Sequence, residues 1–238
     1  MVVLEVNVNN ISGRNVMYTF VLISAFAFAF GVSASAMAKV KLWGSQGSRS
    51  PLVTWALAEL NVEFELIPPR GLMKPANPHP FGQIPCLEDD GHVVFESGAI
   101  LMYLADKYGD LDDPESRSEV AQWAVWANSS LDPVCFIEND RGGVIGTKAN
   151  TENRVLRGLD DRLRKQSYLA GDGKKFTVAD VACASYLYYV LLFFGAKGFA
   201  FDKYPNITKY MKLIIQRPAY RVAYPTETDG IQAIVERF

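Results

Sequence analysis

The sequence predicts an α/β half followed by an all-α half, and three observations carry this. Residues 39–108 alternate short apolar runs with helical periods, in the order β-α-β-loop-β-β-α. Everything past about residue 117 keeps a helical period. Residues 110–116 between them are polar, acidic and proline-containing, which suits a linker.

The elements follow in order. Residues 39–43 place Val40 and Leu42 on one face, as a short strand does. Residues 51–60 are helix formers, with Ser50 expected as N-cap and Pro51 at the first helical position. Residues 64–67 give a second strand. Six of the twelve prolines then fall between residues 68 and 85, so no regular element fits there. Residues 83–87 and 92–95 are expected as strands joined by a turn at Asp89, Asp90 and Gly91. Residues 97–108 form an amphipathic helix with Ile100, Tyr103, Leu104 and Tyr108 near one face. In the second half, residues 118–128, 152–166 and 179–194 are expected as helices. The last is so apolar that it predicts a buried central helix, too interrupted by Asp180 and Ser185 for a membrane span.

Composition bounds the function. The 238 residues are 49% hydrophobic and 21% charged, a globular composition, and the formal net charge of -2 offers no field for a nucleic-acid backbone. Three cysteines without a Cys-x-x-Cys pair and two histidines supply neither a disulfide framework nor a zinc ligand set. Cys86, Cys135 and Cys183 all sit in apolar contexts, so buried free thiols are expected.

Residues 1–36 have a different grammar. An uncharged, mostly apolar run at 16–30 follows Arg14 and precedes a small-x-small site at Ala34, Ser35 and Ala36. The run is too short for a hydrocarbon core of roughly 30 Å, so it is expected as a cleavable targeting segment for secretory-pathway entry, leaving no membrane attachment after processing. Three alternatives stay open: a short signal anchor, a plastid presequence, or a cytoplasmic chain that starts at Met37. Glycan on the sequon asparagines Asn128 or Asn206 would mark lumenal exposure.

The strongest motifs are Phe81, Gly82, Gln83, Ile84 and Pro85, then Phe95, Glu96, Ser97, Gly98, Ala99 and Ile100. With the element order, they make the chain resemble the soluble glutathione S-transferases, in their serine-type, cyanobacterial and plastid-lineage form. The resemblance covers about 200 residues. Asn77 to Pro85 is similar to that family's Asn-Pro-x-Gly-x-(Val/Ile)-Pro segment, lengthened by two residues. Phe176, Thr177, Val178, Ala179 and Asp180 are similar to the capping box that opens its buried helix.

The resemblance implies a thioredoxin-like glutathione-binding domain at 39–109 and an all-helical C-terminal domain at 117–238. It implies a cis Pro85, with Ile84 offering its backbone to the cysteinyl part of glutathione as an added strand does. Glu96 and Ser97, at the start of a helix, would hold the γ-glutamyl ammonium and carboxylate, and Gln83 would reach the glycyl end. Ser97 as a plain N-cap is the other reading. Lys74 and His79 are candidates for the glycyl carboxylate. The thiol activator falls five residues past the first strand, at Ser48, with Ser50 as the alternative and Arg49 as electrostatic support. Trp126, Phe136, Tyr186 and Tyr189 are candidates for the electrophile wall. The implied activity is conjugation of glutathione, as co-substrate and without a metal, to a small hydrophobic electrophile in a detoxifying homodimer with no nucleic-acid partner. A glutathione-binding module without turnover, or a glutathione-dependent peroxidase or isomerase, is the alternative.

Overall fold

The computed structural model describes residues 2–9, 15–22, 40–69, 76–109, 111–195 and 201–237. The chain divides into two compact units, Met1–Met37 and Ala38–Phe238. In the first, β1 (Val2–Asn9) pairs antiparallel with β2 (Asn15–Leu22). Ala34, Ser35, Ala36 and the possible start at Met37 lie outside the described residues.

The second unit opens with β3 (Val40–Trp43), α1 (Ser50–Glu59), β4 (Phe64–Ile67), β5 (Cys86–Asp89), β6 (His92–Phe95) and α2 (Ser97–Tyr108). The sheet order is β4-β3-β5-β6, with β3 and β4 parallel and the other pairs antiparallel. Parallel neighbours need a crossover, and α1 provides it. The β5–β6 turn uses Asp90 and Gly91 at positive φ, as a tight hairpin requires. β5 starts at Cys86, not at the expected residue 83: Pro85, whose bond to Ile84 is cis, has no N–H to give a strand ladder.

The helical half holds α3 (Pro114–Trp126), a π turn (Ala127–Leu131), α4 (Asp132–Cys135), α5 (Arg154–Leu163), α6 (Val178–Phe194), α7 (Pro205–Ile214), α8 (Pro218–Ala223) and α9 (Thr228–Val235). α3 begins inside the stretch expected as linker. Asp113 accepts from the Ser116 amide at 2.8 Å, and Pro114 occupies the first helical position. The half is also not purely helical: β7 (Ile137–Glu138) and β8 (Val144–Gly146) form a small antiparallel hairpin.

α6 is the central helix that its composition predicts, buried from Val178 to Leu191. Thr177 and Asp180 close a capping box, and Asp180 also accepts from Leu169 N at 2.9 Å and Tyr210 Oη at 3.0 Å. Burial outweighs these donors and pushes the Asp180 carboxyl up to about 6. α1 packs against α2, α6 and α8, so the two halves of this unit share one core.

Candidate functional site

A cavity of about 530 Å³ lies where β6 meets α2, walled by Gln83, Ile84, Pro85, Glu96, Ser97 and His79. Arg49, Asn128 and Asp132 complete its lining. The segment before β5 is shaped by side chains acting on nearby backbone. Asn77 donates from Nδ2 to Gln83 O at 2.7 Å and accepts from His79 N at 3.0 Å. His79 repeats the device, accepting from Phe81 N on Nδ1 at 3.0 Å, which leaves Nε2 as the donor of the neutral ring. His79 therefore makes the two-residues-on side-chain bond that asparagine makes in Asx-turns, and the segment is built from two such turns in series. The imidazole is buried at 4.9 Å from Phe95. Lys74 lies outside the described residues.

Glu96 and Ser97 stand at the mouth of α2. Glu96 is exposed at φ 70° and makes no side-chain cap. Its backbone sits in a region that non-glycine residues enter at a cost, and such positions cluster at functional sites. Ser97 is buried as the first helical residue, so it is not the N-cap of the alternative reading, and its Oγ accepts from Asn128 Nδ2 at 3.2 Å.

The loop at residues 44–50 reaches this cavity through Arg49. Gly44 has no room for a Cβ, which would lie 2.5 Å from Ser50, and its amide donates to Ile67 O at 3.0 Å. Ser50 was expected as the N-cap of α1. It is instead the first helical residue and buried, because Ser48 Oγ accepts the Ser50 amide at 3.1 Å. Ser48 Oγ also lies 2.9 Å from Ser45 O, to which it donates, and 2.7 Å from Ser50 Oγ. Ser50 Oγ accepts in turn from Ser45 N at 3.2 Å.

Arg49 is not the free cation that electrostatic support of a thiolate calls for. It donates to Asp132 Oδ2 at 2.7 and 3.1 Å and to Glu138 Oε1 at 2.8 Å. Burial raises the Asp132 carboxyl above its ordinary value against the pull of Arg49, and its Oδ1 is buried without a hydrogen-bond partner.

A second cavity of about 250 Å³ adjoins the loop, and Arg49 lines both. Ser48, Gln46, Phe136 and Tyr189 face this second space. Trp126 and Tyr186, expected on the same wall, do not line it. Trp126 packs edge-on against Trp123, and Tyr186 is wholly buried with its hydroxyl donating to Asn128 Oδ1 at 3.1 Å. Tyr189 does more than line the wall: its hydroxyl, kept protonated by burial, donates to Ser48 O at 2.8 Å.

The family model of the glutathione S-transferase N-terminal domain matches residues 38–106, and that of the C-terminal domain matches residues 145–218. Over 212 residues the chain is 30% identical to Glutathione S-transferase F13 of Arabidopsis thaliana, covering 78% of this chain and 95% of that protein. The chain belongs to the glutathione S-transferase family. A glutathione S-transferase domain-containing protein of Dictyostelium discoideum is 33% identical over 155 residues, so the match spans 59% of this chain and 58% of that relative. Glutathione S-transferase III, solved in apo form, matches with a TM-score of 0.62 at 28% identity, over 79% of this chain and 97% of that one. A family member from Pseudomonas fluorescens pf-5, solved with two glutathione bound, shares the fold at a TM-score of 0.64 and 24% identity, over 80% and 95% of the two chains. The first half is thus the thioredoxin-like part of a glutathione S-transferase fold and the second its helical part.

Sequence reasoning missed two residues of this glutathione S-transferase site, Asn128 and Asp132. Asn128 lies within the π turn and Asp132 directly after it, both line the first cavity, and no sequence pattern announces such a turn. The sequon test also loses force. Asn128 Nδ2 is engaged by Ser97, and Asn206 Nδ2 donates to Asp160 Oδ2 at 2.7 Å. All three cysteines are buried, and burial pushes the Cys86 thiol up to about 11. Among the described residues no cluster of His, Cys, Asp or Glu is placed to hold a metal, and no helix is long and apolar enough to cross a membrane.

Proposed function

We propose that this glutathione S-transferase family member conjugates the glutathione thiolate to a small hydrophobic electrophile. The observation that carries the reading is the pair of adjoining cavities. One is lined by Gln83, Ile84, Pro85, Glu96 and Ser97, the other is largely apolar, and Arg49 borders both. Glutathione takes the first, with its cysteinyl part along the Ile84 backbone and its γ-glutamyl end at Ser97, Glu96 and the start of α2. Gln83 and the Nε2 donor of His79 serve the glycyl end.

A thiol of pKa about 8.5 is only a few per cent ionised at neutral pH, and lowering it by about two units needs about 2.7 kcal/mol of preferential thiolate stabilisation. Ser48 supplies part of this by turning its hydroxyl from Ser45 O to the sulfur. Ser50 keeps donating from its amide to Ser48 Oγ, which strengthens Ser48 as a donor. Arg49, matched by two carboxylates, adds little net field until one of them is drawn to the glutathione ammonium.

A second reading, glutathione binding without useful turnover, is favoured by the same two facts: Ser48 donates away from the cavity, and Arg49 is already paired. Retention on immobilised glutathione, then assays with a halonitroarene, an isothiocyanate and an organic hydroperoxide, separates conjugation, peroxidase chemistry and plain binding.

The family resemblance further supports a homodimer. Phe81 is 76% exposed, and an apolar groove between α2 and α3 includes Ala99, Met102 and Val120, so both offer surface for a second copy. Sedimentation at the monomer mass at micromolar concentration overturns it. Residues 1–36 are read as a targeting segment, supported by the apolar run and the Ala34, Ser35, Ala36 site. N-terminal sequencing of the mature protein tests that reading.

A further inference from the structure

We propose that the second cavity selects hydrophobic electrophiles that carry a positive charge and disfavours anionic ones. This rests on the conjugation reading and names its substrate class. Val144, Leu192 and the rings of Phe136, Tyr189 and Phe193 form the apolar wall. Phe136 stands edge-on to Tyr189 at 6.2 Å and to Phe193 at 5.8 Å, an arrangement of ring faces that attracts cations, quaternary ammonium groups above all.

The charges around the rings act in the same direction. Arg49 is the one cationic side chain among the described residues of the lining, and Asp132 and Glu138 both hold it, so its charge is already more than matched. Glu227, at the N-cap of α9, adds a carboxylate to the lining, and its Oε2 is buried without a hydrogen-bond partner. Tyr189 spends its one donor on Ser48 O, and Gln46 spends one of its two on Ala223 O, which leaves an anion few neutral donors among these side chains. The cavity therefore joins aromatic faces to an excess of carboxylate. A cation gains from both, whereas an anion meets repulsion from the carboxylates.

The test uses the full chain and three chloronitrobenzenes that differ only in the para substituent: a carboxylate, a carboxamide and a trimethylammoniomethyl group. In each, the glutathione sulfur bonds to the ring carbon that bears chlorine. Chloride leaves with the bonding pair and the thiol proton goes to solvent. Each kcat/KM is divided by the rate constant of free glutathione thiolate with the same arene, which removes intrinsic reactivity. The cationic arene is expected to exceed the anionic one by about tenfold, and Glu227→Gln to cut that ratio about threefold, the scale of one partly screened charge. Equal ratios for the three arenes, or a ratio unmoved by Glu227→Gln, overturn the proposal and leave conjugation standing. If no arene is accelerated, conjugation fails, and calorimetry with phenyltrimethylammonium against benzoate decides the cavity's preference alone. Binding of the cation upholds the proposal, and equal or reversed binding overturns it.

Discussion

Residues 77–97 line the first cavity and the loop at 44–50 borders the second, with Arg49 reaching both, and the two walls are held in unlike ways. Apart from the Asn128 bond to Ser97 and the pairing of β5 with β3, the first wall is fixed by its own neighbourhood. The Asn77 and His79 bonds span two to six residues, β5 and β6 pair through a tight turn, and Asp89 Oδ2 accepts from Tyr103, Lys107 and Tyr108 within 19 residues. The second wall relies on distant chain. Arg49 reaches Asp132 across 83 residues, Tyr189 reaches Ser48 across 141, and Gln46 reaches Ala223 across 177. A surface set mainly by local bonds is expected to survive changes in the helical half that spare Asn128. The loop proposed to face the thiol is braced by that half, which opens it to adjustment from α6 and α8.

The largest expected effect tests the local wall. Glu96→Ala should weaken glutathione binding about a hundredfold, the upper scale of one charge-assisted pair, and abolish retention on immobilised glutathione. Its melting temperature should stay within a few degrees, because the exposed Glu96 side chain caps nothing and alanine keeps the same backbone cost. Collapse of the fold would show Glu96 to be structural and the wall to be less self-contained than described.

The loop is tested next. Ser48→Ala should raise the pKa of enzyme-bound glutathione by about one to two units, since a hydrogen bond to a charged group is worth about 1.5–3 kcal/mol. The rate at neutral pH should then fall about 10- to 100-fold and recover partly at high pH, where bulk ionisation restores the thiolate. Thiolate absorbance that titrates identically in both proteins moves the role to Ser50 or Arg49.

Tyr189→Phe removes the brace and keeps the ring. It should cost about 1 kcal/mol of stability and lower kcat a few-fold, with the affinity for glutathione unchanged. A loss of glutathione affinity as large as the loss of kcat would dissolve the contrast between the walls.

The smallest effect belongs to Cys86, on the strand behind the local wall. Burial holds its thiol up to about 11, so it stays protonated and unlabelled by iodoacetamide from pH 7 to 8.5 in the native state and reacts after unfolding. The sign follows from linkage. The folded pKa lies above the unfolded one, so the stabilisation is complete below about pH 8.5 and is lost as the pH rises toward 11. Fast native labelling would mean that β5 opens locally.

Much of this was legible from residue order. The bounds of α2 follow from the amphipathic period, the β5–β6 turn from Asp90 and Gly91, and the buried α6 from an apolar run behind a Thr177 and Asp180 box. Gln83, Ile84, Pro85, Glu96 and Ser97, the residues proposed to face glutathione, came from the family resemblance of two short motifs, and all five line one cavity. What stayed hidden depends on contacts remote in sequence. Ser50 looked like a cap until Ser48 took its amide, Arg49 looked free until Asp132 and Glu138 reached it, and Tyr186 looked like a wall residue until Asn128 drew its hydroxyl inward.

The sequence by itself determined the succession of elements from β3 to α2 and the burial of α6, which follow from periodicity and turn chemistry acting over a few residues. The residues proposed to meet glutathione came from the family resemblance that two short motifs carry. Tertiary structure alone decided where the Ser48 hydroxyl points, that Arg49 is neutralised, and that Asn128 and Asp132 enter the site through a π turn. It also decided that Glu138 and Glu227 share a cavity with Phe136 and Phe193. Each of these depends on which distant donor and acceptor come within hydrogen-bonding or contact range once the core has packed, and local sequence does not encode that distance.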